Sequence, residues 1–249
     1  MIKWPEIILN RDSLLITIGD SWTRGVGCYI PSFLELYNKN KISYDELDRR
    51  CRINESYSNG SWPTQISRMF DCDLINLGRG GDSNSVSAKR LIQDCHDMIF
   101  ARAKNYKKVS VIWLISTPDR LGFYSDKTLC SFPLAKPSKI VKTYLKNIHK
   151  HPLDTCLETS FYLRTVEWYC KANNYSFIYG SAWHPISDLN TIYDSECNIH
   201  KHISVDSISK FLDVNKDQWS HCGHPNENGY RVIAEKLYKS INEYFPDFL

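Results

Sequence analysis

The chain has 249 residues, 42% of them hydrophobic, which is enough to bury a sizeable core as one α/β domain. Its 31 basic and 28 acidic residues are mixed along the sequence and leave a net charge of +3, so no polyanion-binding face is announced and nucleic acid is not an implied partner. Nine cysteines, an odd count scattered without a CxxC pair, argue against a disulfide framework and against a zinc ribbon, and are read as reduced, mostly buried thiols.

The start, Met1-Ile2-Lys3-Trp4-Pro5-Glu6, lacks a basic segment followed by a long apolar stretch and a small-residue cleavage site. No later run is long enough to cross a bilayer, so the expectation is a cytoplasmic protein with no membrane partner. Short apolar runs then alternate with helical patterns. Strands are predicted at Leu14 to Gly19, Asp73 to Leu77, Val109 to Ile115 and Ser176 to Tyr179, each bounded by Gly, Asn, Asp or Ser. Helices are predicted at Trp62 to Phe70, Ser85 to Ala103, Thr155 to Asn173 and Glu227 to Tyr244. The last carries Tyr230, Ile233, Ala234, Leu237 and Ile241 as one apolar stripe.

This alternation predicts a parallel sheet covered on both faces. In such sheets ligands bind beyond the carboxyl ends of the strands, and those ends carry Ser21, Gly78 to Asn84, Ser116 to Arg120 and Ser181 to His184. Two stretches fit neither period: Tyr29 to Asn59, rich in charge, and Leu121 to Pro152, with three prolines. Both follow candidate site strands and are expected to be insertions, either walls of a substrate pocket or a solvated helix and a long loop.

The chemistry starts at Gly19-Asp20-Ser21. A serine hydroxyl is a poor nucleophile at neutral pH unless a base within hydrogen-bond reach takes its proton, and imidazole suits that task. Of eight histidines, His224 is the best placed, because Pro225 stiffens the following turn and Asn226 can cap the last helix. Asp20 reads as a structural acceptor for nearby backbone N–H groups. Gly78-Arg79-Gly80-Gly81 lacks the spacing of a phosphate or dinucleotide loop and is expected to present N–H groups to a small oxyanion. The run His221-Cys222-Gly223-His224 has metal-ligand residue types, but no second pair of ligands accompanies it, so no metal is expected and Cys222 reads as a packed thiol.

Gly19-Asp20-Ser21, then Gly81-Asp82-Ser83, then His224-Pro225-Asn226-Glu227-Asn228-Gly229-Tyr230 resemble, in order, the motif blocks of the SGNH (GDSL-type) hydrolases. The resemblance spans nearly the whole chain, 1–249, as one domain with insertions near 29–59 and 121–152. It implies a three-layer α/β/α sandwich with a flavodoxin-like, mostly parallel sheet. It also implies Ser21 as nucleophile, His224 as base, and the N–H groups of Ser21 and Gly81 as oxyanion donors. No cofactor is implied.

Two positions depart from the family pattern. Where the third block carries an oxyanion-binding Asn, this chain has Pro118 within Ser116-Thr117-Pro118-Asp119-Arg120, so Thr117 or Asn84 is the expected substitute. Where the last block carries the carboxylate that orients the base, this chain has His221. Asp217, another carboxylate or a backbone carbonyl is then expected to orient His224, with His221 able to keep it neutral by like-charge repulsion. The resemblance implies hydrolysis of an acyl ester, such as an O-acetylated carbohydrate or a short-chain ester. The competing expectation is a catalytically weak, glycan-binding protein of the same fold. Gly-Asp-Ser-Trp and His-Cys-Gly-His-Pro-Asn look similar to variants encoded by tailed bacteriophages, which would make the partner a virion or tail.

Overall fold

The computed structural model describes residues 11–54, 56–116, 120–125, 128–133, 152–181, 208–213, 217–220 and 222–249. Four of its strands, β1 (Ser13–Ile18), β2 (Asp73–Asn76), β3 (Lys108–Ile115) and β6 (Ser176–Ser181), form one parallel sheet in the order β2-β1-β3-β6. Leu14 pairs with Asp73 on one side and Val109 on the other, and Ile115 pairs with Ser181. Among these four strands the order is the flavodoxin-like one, with β1 and β2 on one side of the first crossover and β3 and β6 on the other.

These segments form strands because both of their faces are covered, which favours unbroken apolar runs over alternation. Alternate residues feed opposite layers. Leu15, Ile112, Leu114 and Ile178 join one cluster with Trp62 and Ile66 of α5 (Trp62–Met69) and with Tyr230, Ile233 and Leu237 of α9 (Glu227–Tyr244). Leu14, Ile16, Ile18, Val111 and Trp113 join a second cluster on the other face. There they meet Ala88 of α6 (Asn84–Lys89), Ile99 of α7 (His96–Ala103), and Leu163 and Val166 of α8 (Pro152–Ala172). The three-layer α/β/α sandwich is therefore present. The predicted stripe on the last helix is fully buried at all five positions, and its Ile233, Leu237 and Ile241 side chains each contribute roughly 1.5–3 kcal/mol by leaving water.

The structure corrects one expectation and gives form to two others. The helix predicted from Ser85 to Ala103 is broken: α6 runs into a π-helical turn at Arg90–Asp94, and α7 restarts at His96. The break begins at Arg90, whose guanidinium is drawn back to the Leu77 carbonyl and the Asp82 carboxylate. The charged stretch near 29–59 folds as α2 (Pro31–Asn38), α3 (Tyr44–Ile53) and α4 (Ser56–Gly60), following the short α1 (Ser21–Arg24). The start of the other stretch is an antiparallel pair, β4 (Arg120–Ser125) with β5 (Thr128–Pro133), and residues 134–151 lie outside the described part. Asp126-Lys127 between these strands lacks the Asn-Gly or Asp-Gly signature of a two-residue hairpin, so no hairpin was legible there. Among the described residues no helix is long and apolar enough to cross a membrane.

Candidate active site

The carboxyl ends of β1, β2 and β3 are tied together by buried polar groups before any reactive residue is placed. Asp20, fully buried, caps α1 by accepting the Trp22 N–H at 3.0 Å, and its other oxygen accepts the Ser116 hydroxyl at 3.0 Å. This is the structural role expected of it, and it locks the end of β1 to the end of β3. Ser21 is thereby the first residue of α1, with its backbone carbonyl accepting from both Gly25 and Val26. From the other side Asn76 donates its amide to the Thr23 carbonyl at 2.9 Å and accepts the Gly78 N–H at 2.9 Å, which draws the loop after β2 against α1.

That loop presents Gly81 in the left-handed region, at φ +84°, a conformation that disfavours a side chain. The residues after it are structural. Ser83 caps α6 by accepting the Val86 N–H. Asp82 is buried, and burial pushes its carboxyl above the ordinary range while the paired Arg90 opposes that rise. Gly81 and its neighbours Gly80 and Arg79 line a cavity of about 480 Å³ together with Ser21 and His224.

His224 comes from the loop before α9. Trp219 bridges to Pro225, the Ser220 N–H donates to the His224 carbonyl at 2.8 Å, and the Asn226 N–H donates to the Gln218 carbonyl at 3.0 Å. Asn226 then caps α9 by accepting the Gly229 N–H at 3.0 Å, as its sequence position predicts. Trp219 packs edge-on against the buried Trp22, with ring centroids 6.0 Å apart, and the Tyr230 hydroxyl donates to the Val26 carbonyl at 2.8 Å. These contacts hold the two ends of the chain against each other. They put Nε2 of His224 2.9 Å from Oγ of Ser21, across 203 positions of sequence.

The remaining expected residues are placed differently. The Asn84 side chain is buried and fully engaged: it donates to the Ser116 carbonyl and the Thr159 hydroxyl, both at 3.2 Å, and accepts the Ser116 N–H at 2.8 Å. It braces α6 against β3 and α8 instead of serving as an oxyanion donor, because every hydrogen of its amide is already spent inside the fold. Asp217 accepts from the Asn226 amide at 3.0 Å and so supports the helix cap, not the imidazole. Thr117 and His221 lie outside the described residues, as does His184.

Two sets of residues at the site were not assigned to it by the sequence. One lies in the 29–59 region, expected as a pocket wall: Tyr44, Asp45, Asp48 and Tyr57 line the cavity with Ser21. The Tyr57 hydroxyl donates to Asp48 at 2.9 Å, and burial pushes the Tyr57 phenol upward. The other is Cys222, half-buried, with Sγ 3.4 Å from Nδ1 of His224 and 2.9 Å from the Ser220 hydroxyl. Burial alone would raise this thiol, but hydrogen bonds from His224, Ser220 and Tyr29 outweigh it and bring it down to about 6. Among the described residues, no group of three or more His, Cys, Asp and Glu side chains is assembled as metal ligands.

No family model matches the sequence, and no curated protein matches it either. Solved structures do share its fold. A carbohydrate esterase whose active site displays divergent catalytic and non-catalytic binding functions superposes with a TM-score of 0.55 at 14% identity, over 99% of this chain and 69% of its own. An acetyl xylan esterase, Est2A, from the rumen bacterium Butyrivibrio proteoclasticus gives 0.54 at 10% identity, over 99% and 67%. TesA gives 0.51 at 10% identity, over 93% and 98%. The fold is thus that of the SGNH-type hydrolases and carbohydrate esterases, the one its ordered motifs resemble.

Proposed function

We propose that the protein is a serine hydrolase that cleaves an acyl ester. The observation that carries this is the 2.9 Å contact between Ser21 Oγ and His224 Nε2, made at the carboxyl end of a parallel sheet in the lining of a cavity. In the proposed reaction Ser21 Oγ attacks the ester carbonyl while His224 Nε2 takes its proton. The negative oxygen of the tetrahedral intermediate is held by the backbone N–H groups of Ser21 and Gly81. Collapse expels the alcohol, which takes the proton from His224 and leaves the acyl group on Ser21. Water, deprotonated by the same imidazole, then attacks the acyl carbonyl, and the acid departs as Ser21 regains its proton.

For substrate we propose an O-acetylated carbohydrate or another short acyl ester. The likeness to a carbohydrate esterase and an acetyl xylan esterase supports this, as does a cavity wall of Tyr44, Tyr57, Arg24 and Arg79, whose rings and charged donors suit a hydroxylated ring. The test is hydrolysis of p-nitrophenyl acetate and of acetylated xylan by the purified protein beside Ser21→Ala. Turnover that disappears with the serine is the expected result. Glycan binding without any serine-dependent release of acetate would replace the esterase by a binding protein.

A further inference from the structure

The proposed reaction places a demand on the far side of the imidazole. Nε2 can take a proton from Ser21 only if the neutral ring carries its own proton on Nδ1, and a hydrogen-bond acceptor at Nδ1 selects that tautomer and steadies the imidazolium that follows. Asp217 is turned to Asn226 instead. Among the described residues, the side-chain atom that meets Nδ1 is Sγ of Cys222, at 3.4 Å, a hydrogen-bonding distance for the larger sulfur atom.

We propose that Cys222 is the positioning residue of this site: its thiolate accepts the Nδ1–H of His224 and stands where a carboxylate stands in a Ser–His–acid triad. The inference rests on the hydrolase reading given above. The Ser220 hydroxyl stands between two acceptors, Sγ at 2.9 Å and the His224 carbonyl at 3.0 Å, and that carbonyl keeps the Ser220 N–H at 2.8 Å when the hydroxyl turns to the sulfur. Tyr29 lies beside the sulfur as well, its phenol kept protonated chiefly by burial, and its hydroxyl is shared with Tyr44 at 3.4 Å. Nδ1–H and the Ser220 hydroxyl beside it favour the charged sulfur, and with Tyr29 they outweigh burial and bring the thiol down to about 6.

The opposite arrangement shows what is at stake. A neutral S–H that donates to Nδ1 leaves the ring proton on Nε2, and an Nε2–H facing Ser21 cannot act as a base. Ionisation of the sulfur is thus the event that turns the imidazole the right way round. The other titratable groups facing this sulfur do not compete for the charge: Cys28, Tyr57 and Tyr230 are all pushed upward, chiefly by burial, and stay neutral in this pH range.

Two readouts test this, one of them independent of turnover. The first is the pH dependence of iodoacetamide alkylation at Cys222 in the native full chain, followed by peptide mass. An inflection near pH 6, moving toward the ordinary thiol value of about 8.5 in His224→Gln, is expected. An inflection at the ordinary value in the unmodified protein overturns the pairing.

The second readout is kcat in three variants. Serine is the closer shape and aspartate the closer charge, so packing and orientation predict opposite orders. We expect Cys222→Ala and Cys222→Ser to lose roughly 10²–10⁴-fold, and Cys222→Asp to recover much of that loss. Full turnover in Cys222→Ser overturns the proposal while leaving the hydrolase reading intact. Absence of any Ser21-dependent turnover in the unmodified protein overturns the hydrolase reading instead, and the alkylation profile then decides the pairing alone.

Discussion

The two turns that meet at the site are built on different principles. The turn carrying Ser21 is held by the sheet: Asp20 is fully buried and its carboxylate spans from the start of α1 to the end of β3, so Ser21 inherits the rigidity of the central strands. The loop carrying His224 is held mostly by itself, through the Trp219–Pro225 bridge, the Ser220–His224 backbone bond and the Asn226 cap, and it stays partly open to solvent. A nucleophile anchored in the core admits few substitutions of its supports. A base anchored in a local loop can exchange the group behind it, provided that group accepts a hydrogen bond and carries negative charge.

The contrast is broken most severely at the reacting atoms. Ser21→Ala and His224→Ala are each expected to cut ester turnover by roughly 10⁵-fold or more. The double variant should be little worse than either single one, because the two act as a unit. Additive losses in a steady-state assay would separate them. Next is the supporting carboxylate: Asp20→Ala strands the Trp22 N–H and the Ser116 hydroxyl in a dry interior. It is expected to lower the unfolding free energy by about 2–4 kcal/mol in a urea titration, with the Ser21 turn loosened along with the sheet.

On the His224 side the effects are local and smaller in stability. As pH falls through about 6, Cys222 gains its proton, the acceptor behind Nδ1 is lost, and kcat is expected to fall on that limb without a change in circular dichroism. Above that pH the sulfur is charged and the rate is retained. Asn226→Ala removes the cap of α9 and is expected to cost about 1 kcal/mol in the same urea titration. If Asn226→Ala instead destabilised the protein as much as Asp20→Ala, the claim that the base loop stands apart from the core would fail.

The parts legible in the sequence are those where one physical constraint dominates. Strands buried on both faces must be apolar throughout, so β1, β2, β3 and β6 stood out as runs. A helix packed on one face must repeat its apolar residues, so α9 was readable to the residue. Ser21, Gly81 and His224 were legible from the order of their motifs, and the cavity gathers all three. What failed to show was whatever depends on tertiary contact. The break at Arg90 follows a side chain reaching to Asp82, and Asn84 looked free as a donor until Ser116 and Thr159 claimed its amide. Cys222 lies only two residues before His224, and Gly223 between them takes φ +76°, folding the loop so that sulfur and ring face each other. Nothing in the residue types announces that turn, and a thiol there read as packing.

The measurement that bears most directly on the account is labelling of the native protein with a fluorophosphonate, followed by peptide mass. The account predicts one adduct, on Ser21, absent in His224→Ala although that variant keeps the fold by circular dichroism. Equal labelling of Ser21 in His224→Ala, or ester turnover with no adduct on Ser21, would contradict it.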